Sequence, residues 1–194
     1  MNNTASLRGI LFALGATIIW SGNFIVARSL NQSIEPAILS FLRWGTAFAG
    51  LLPFACRAAW AERAAIRRSM PAMVPMALLG VTTFNTLLYQ AARTTSALNL
   101  SLIATSTPVF IILLARIFLG EKLSTRKAAG LAAALGGVLL LITGGDASRL
   151  AGLEFSIGDL LMSLAAVIFA AYSILVRRFK GGLSQPAFLL TLFG

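Results

Sequence analysis

Four stretches of the chain, residues 9–27, 69–92, 94–115 and 128–145, carry no charged side chain. Each can supply the run of about 20 helical residues that crosses a hydrocarbon core of about 30 Å. Residues 36–56 form another apolar run, interrupted only by Arg43, and residues 160–176 a shorter one, while a seventh starts at Leu183. The runs are continuous and do not alternate every second residue, so they read as helices and not as barrel strands. In lipid, a helix satisfies its own backbone hydrogen bonds. The expected fold is therefore an all-α polytopic membrane protein. Its spans are expected near residues 9–28, 36–56, 70–92, 97–118, 127–145 and 158–177, with a further one from about 184.

Composition narrows the function. Only 11% of residues are charged and 58% are hydrophobic, against about 25% charged in soluble domains. A net charge of +10 could suit nucleic acid, but the basic residues punctuate the apolar runs instead of forming one patch. The lipid bilayer is the expected partner, and nucleic acid is not. The first run lacks a small-residue cleavage site followed by a soluble domain, so it reads as a span and not as a signal peptide. A single cysteine, Cys56, and the absence of histidine leave no internal disulfide, no cysteine metal cluster and no histidine-based catalysis. Aspartyl proteolysis needs two apposed aspartates, whereas Asp146 and Asp159 sit at span edges. No enzyme activity, cofactor or metal is expected.

Lys and Arg concentrate on one side of the predicted spans. If the N-terminus is cytoplasmic, the inner segments hold Arg8, Arg57, Arg63, Arg67, Arg68, Arg116, Lys122, Arg126, Lys127, Arg177, Arg178 and Lys180. The outer segments hold only Arg28, Arg93 and Arg149. Cytoplasmic loops carry such an excess, which predicts a cytoplasmic N-terminus.

The chain also repeats itself. A shift of 149 residues lays Gly9 on Gly158, Leu11 on Leu160, Ala16 on Ala165, Ile25 on Ile174 and Arg28 on Arg177. One residue more lays Pro36-Ala37 on Pro186-Ala187. Five spans separate the copies, and an odd number makes them cross the membrane in opposite directions, as in transporters built from inverted repeats. Residues 1–148 are expected to form a first five-span repeat, and residues 149–194 to begin a second. On that logic a whole protein of about ten spans is expected, and this chain alone should not transport.

Polar residues inside the spans are the candidate site. Arg43 lies about 10 Å from the end of its helix at 1.5 Å per residue. A charge at that depth marks a cavity or a partner. It can snorkel along its stem, pair with Asp159, the only carboxylate expected at similar depth, or receive an anionic group of a solute. Trp20 and Asn23 in the first span join Asn85, Tyr89 and Gln90 in the third. Asn85 and Tyr89, four residues apart, share a helix face. These groups are either interhelical glue or the wall of a pocket for a small organic solute. Trp44 and Tyr172 are weaker members of the same set. Ala129, Ala133 and Gly137 form a small-residue face suited to close packing, and Pro108 should kink the fourth span. Glu121, an acid in a basic turn, suggests a local ion pair or a gate contact.

Several segments together resemble a known family. WSGNF at 20–24, FLRW at 41–44, the run from Tyr89 to Ser124 that includes LARIFLGEKLS, and GLAAALGGVLLL from Gly130 resemble the EamA-type transporters of the drug/metabolite transporter superfamily. GDLLMSLAAVIFAAYSILVRR from Gly158 is similar to the start of that family's second repeat, with Phe169 where Trp is frequent. The resemblance implies ten helices in two inverted repeats, a central cavity, and a place in the bacterial inner membrane. It implies export of amino acids or similar small metabolites, with drugs and purine-like compounds as alternatives. A non-transporting membrane scaffold is the competing class. Oligomeric state stays open, and a monomer is compatible with everything above.

Overall fold

The computed structural model describes residues 3–30, 33–143 and 156–194. Asp146, Arg149 and the expected repeat boundary at 148–149 lie outside them, as does the side chain of Arg8. The described residues are helical throughout, joined by short turns, with no strand among them. The helices are α1 (Asn3–Leu30), α2 (Pro36–Ala61), α3 (Arg63–Met76), α4 (Phe84–Ala91), α5 (Ala97–Ala104), α6 (Thr107–Leu119), α7 (Thr125–Thr143), α8 (Ile157–Arg178) and α9 (Gln185–Phe193). A π-helical turn, Ala77–Thr83, links α3 to α4. Among the described residues five segments are long and apolar enough to cross a membrane: Gly9–Leu30, Pro36–Ala61, Arg63–Ala91, Ala97–Leu119 and Ile157–Arg178. The chain is thus an all-α, multi-pass membrane protein.

Side-chain size decides which face of each helix meets protein. Lipid tails are as apolar as leucine, so helices associate in lipid through close van der Waals contact, which small residues permit. Ala27, Ala55, Ala91, Ala92, Ala115, Ala165, Ala166, Ala170 and Ala187 are all buried, while Phe12, Ile18, Phe41 and Phe54 are exposed where lipid would lie. In α8 the buried residues Gly158, Met162, Ala165, Ala166, Ala170 and Ile174 recur every three or four positions, one helical stripe. That stripe seats α8 against α4, α5, α6 and the π turn. The second strong pairing joins α2 to α9.

Two glycines set how closely elements approach. A Cβ on Gly158 would stand 2.5 Å from the Ala91 carbonyl oxygen and 2.6 Å from Thr94 Oγ1. One on Gly80 would stand 2.5–2.7 Å from ring carbons of Tyr172. Both positions require the absence of a side chain.

The fourth span does more than kink. It breaks into α5 and α6 at Thr105–Ser106, and Pro108 sits in the first turn of α6, where its missing N–H is not needed. Thr105 Oγ1 and Ser106 Oγ donate to the carbonyls of Leu102 and Ile103, both at 2.6 Å, so hydroxyls occupy carbonyls that end α5. The small-residue face of α7 departs from expectation. Ala129, Ala133 and Gly137 are exposed, so the close packing predicted for them is not formed among the described residues.

Candidate functional site

Of the sequence-marked residues, Arg43, Trp44, Asn85 and Tyr89 come together beside the π turn, whereas Trp20 on α1 is exposed. Asn85 lies one residue into α4 and Tyr89 one helical turn later, both almost fully buried. Arg43 of α2 reaches them with one nitrogen: Nη1 donates to Asn85 Oδ1 at 3.0 Å and to Tyr89 Oη at 2.8 Å. Among the described residues no carboxylate reaches Arg43. The expected alternative partner, Asp159, is committed elsewhere. Its Oδ1 accepts from Thr95 Oγ1 at 2.6 Å, and its Oδ2 accepts from the Ser156 backbone N–H at 2.8 Å and from Ser156 Oγ at 3.0 Å. With Ser156 Oγ accepting from the Asp159 N–H, this is a reciprocal capping box at the start of α8. Arg43 is therefore a partly buried cation held by neutral oxygens.

The π turn explains the orientation of Asn85. A wider turn shifts the ladder, as in the bond from the Phe84 N–H to the Leu79 carbonyl, and such a shift leaves carbonyls in need of donors. Asn85 Nδ2 donates to the carbonyls of Val81 at 2.9 Å and Gly80 at 3.3 Å. With its amide nitrogen occupied there, its oxygen faces Arg43.

Trp44 follows Arg43 on α2. The guanidinium carbon lies 5.5 Å from the Trp44 ring centroid, and Phe193 of α9 packs 4.7 Å away on that ring. Its indole Nε1 is buried and has no acceptor among the described residues. A buried donor without an acceptor costs about 1–3 kcal/mol.

Tyr172 belongs to a different cluster. Its ring covers Gly80 and lies 5.6 Å from Phe169, which also meets Phe84 at 4.8 Å and Trp20 edge-on at 6.1 Å. Phe169 is the hub of four rings from three spans. Phe84 and Phe169 were not singled out as site residues. The available signal was that Phe169 is the position the 149-residue shift lays on Trp20. Asn23, also expected at the site, is half-buried on α1 and does not join the Arg43 network. Gln90, beside Tyr89, is exposed.

The two ends of the bundle are tied differently. At one end Arg28 Nη1 donates to the carbonyls of Ala92 and Arg93, beside the buried Thr95–Asp159 contact. At the other, Glu121 pairs with Lys127 at 3.4 Å and with Arg177 of α8 at 3.1 Å, so its contact is both local and across spans. There too the Ser184 N–H, at the start of α9, donates to Glu62 Oε2 at 2.8 Å.

Comparison with known proteins agrees with this architecture. Residues 7–143 match the EamA-like transporter family. The chain is 28% identical over 169 residues to a Bacillus subtilis (strain 168) protein named "Uncharacterized transporter YyaM", covering 87% of this chain and 55% of that protein. It is also 28% identical over 171 residues to an "Uncharacterized transporter" of Archaeoglobus fulgidus, covering 86% of this chain and 56% of the relative. The chain spans about half the length of these curated relatives. No solved structure matches it significantly.

Proposed function

The chain belongs to the EamA-like transporter family, and from that premise we propose that it forms part of a secondary transporter that exports amino acids or similar small metabolites by alternating access. The observation that carries the substrate class is Arg43. Among the described residues the guanidinium is bonded by Asn85 Oδ1 and Tyr89 Oη and meets no carboxylate, and its remaining N–H groups suit a carboxylate fork. Trp44 Nε1, a buried donor without an acceptor among the described residues, supports the same polarity of site. It offers donors, and a carboxylate offers only acceptors.

The ring cluster of Trp20, Phe84, Phe169 and Tyr172 supports a largely apolar wall beside the polar group, the usual make-up of a small-molecule site. On this reading Asn23 on α1 borders the solute path. The site lies between two inverted repeats, residues 1–148 and the segment from 149 onward, in the bacterial inner membrane with a cytoplasmic N-terminus. The basic excess at the Glu121 end supports that orientation.

Counterflow in proteoliposomes holding the whole protein tests the reading, with amino acids, their amide analogues, nucleosides and cationic drugs as solutes. Amino acids should exchange and their amides should not. Arg43→Gln should lower affinity for carboxylated solutes at least about tenfold, the loss of one charge-assisted pair, and Arg43→Lys should lower it less. Exchange of nucleosides or drugs but not amino acids, or unchanged affinity in Arg43→Gln, would overturn the substrate class. Flux with and without a pH gradient separates proton coupling from facilitated export.

A further inference from the structure

At the Glu121 end, a cleft of about 290 Å³ opens between the end of α6, the start of α7 and the end of α8. Ile111, Ile112 and Ala115 give it an apolar floor with Leu123, while its rim is charged. Glu121 contributes the rim's one carboxylate, and both of its oxygens are engaged, Oε2 with Lys127 and Oε1 with Arg177. Lys122 completes the rim and forms no ion pair among the described residues. Three cations against one carboxylate leave the rim positive. The start of α7 at Thr125 adds the partial positive charge of a helix N-terminus. Lys127 and Arg177 keep 53% and 46% of their side-chain surface exposed, so their charge remains reachable from outside.

We propose that this cleft binds one anionic phospholipid, its phosphodiester on Lys122, Lys127 and Arg177 and an acyl chain along Ile111, Ile112 and Ala115. The position selects the ligand. The cleft lies where an apolar span meets a basic turn, the level at which lipid head groups sit, and basic pockets between spans take such head groups. A free small anion would leave the apolar floor uncovered, and a neutral lipid would leave the cations unanswered. The site is separate from the Arg43 network and does not depend on the solute proposed for it.

The test is native mass spectrometry of the detergent-purified protein after equilibration with equal phosphatidylglycerol and phosphatidylcholine, repeated with inorganic phosphate present. The wild-type protein should retain phosphatidylglycerol in preference to phosphatidylcholine. Lys122→Glu, which leaves the Glu121 pairs in place, should cut that preference about fivefold or more, the contribution of one basic residue to an anionic surface. Lys127→Gln with Arg177→Gln should cut it further, circular dichroism and a monodisperse elution profile showing that both variants fold. An unchanged preference in Lys122→Glu would overturn the proposal. So would displacement of the lipid by inorganic phosphate, since the cleft would then hold a free anion.

Discussion

Tyr172 lays its ring directly on Gly80, so the π turn of one span meets α8 with only that ring between them. The contact links the two clusters of the candidate site. Gly80 offers its carbonyl to Asn85, which holds Arg43, while Tyr172 belongs to the ring cluster centred on Phe169. Gly80→Ala would drive a Cβ to within 2.7 Å of the ring. It should destabilise the protein by about 1–3 kcal/mol, as overpacking does. Thermal unfolding in detergent measures this, and the pairing of Gly80→Ala with Tyr172→Ala should cost less than the sum of the two. Strict additivity would show that the ring is not the obstacle.

Trp44→Phe removes one buried N–H and keeps most of the ring. Because that donor has no acceptor among the described residues, its loss should leave thermal stability unchanged or raise it. Affinity for a carboxylated solute should nonetheless fall, by about tenfold if the N–H meets the solute. A drop in stability with unaltered affinity would show that the indole serves the packing of α2 on α9.

Asp159→Ala leaves Thr95 Oγ1 and the Ser156 N–H without their acceptor and removes the α8 capping box. The expected cost is about 1–3 kcal/mol. Thr95→Ala, which removes only one of the donors, should cost less. Equal losses in the two unfolding curves would mean that the cap contributes nothing.

Glu121→Gln breaks ion pairs whose members are all at least one-third exposed. Such pairs contribute about 0–1 kcal/mol, so stability should hardly change. The tie between α6 and α8 should loosen instead. A cysteine placed at Ala115, buried at the floor of the cleft, should react faster with a charged thiol reagent in Glu121→Gln than in the parent. An unchanged labelling rate would show that Glu121 does not hold this end closed.

Part of the candidate site is legible in the sequence. Residues that break the apolar rule within a span, such as Arg43, Asn85 and Tyr89, stand out because lipid penalises them, and helical spacing alone puts the last two on one face. Their partners could not be read so. Asp159 looked like the natural counter-charge for Arg43, but Ser156 and Thr95 claim it at the start of α8. Phe84 and Phe169 were hidden by the abundance of phenylalanine in spans that also face lipid, since a ring on a lipid face and a ring in a cluster have the same local sequence.

The helical, multi-pass character and the placement of the apolar runs are legible in the sequence alone. Those properties follow from the one-dimensional pattern of charge and polarity against a bilayer of known thickness. Only the tertiary structure decided the π turn at Ala77–Thr83, the break at Thr105–Ser106, and the choice of neutral oxygens rather than Asp159 to hold Arg43. Each depends on distances between spans far apart in the chain. Those distances are set by where alanine and glycine let helices approach, a property of pairs of faces that no single segment contains.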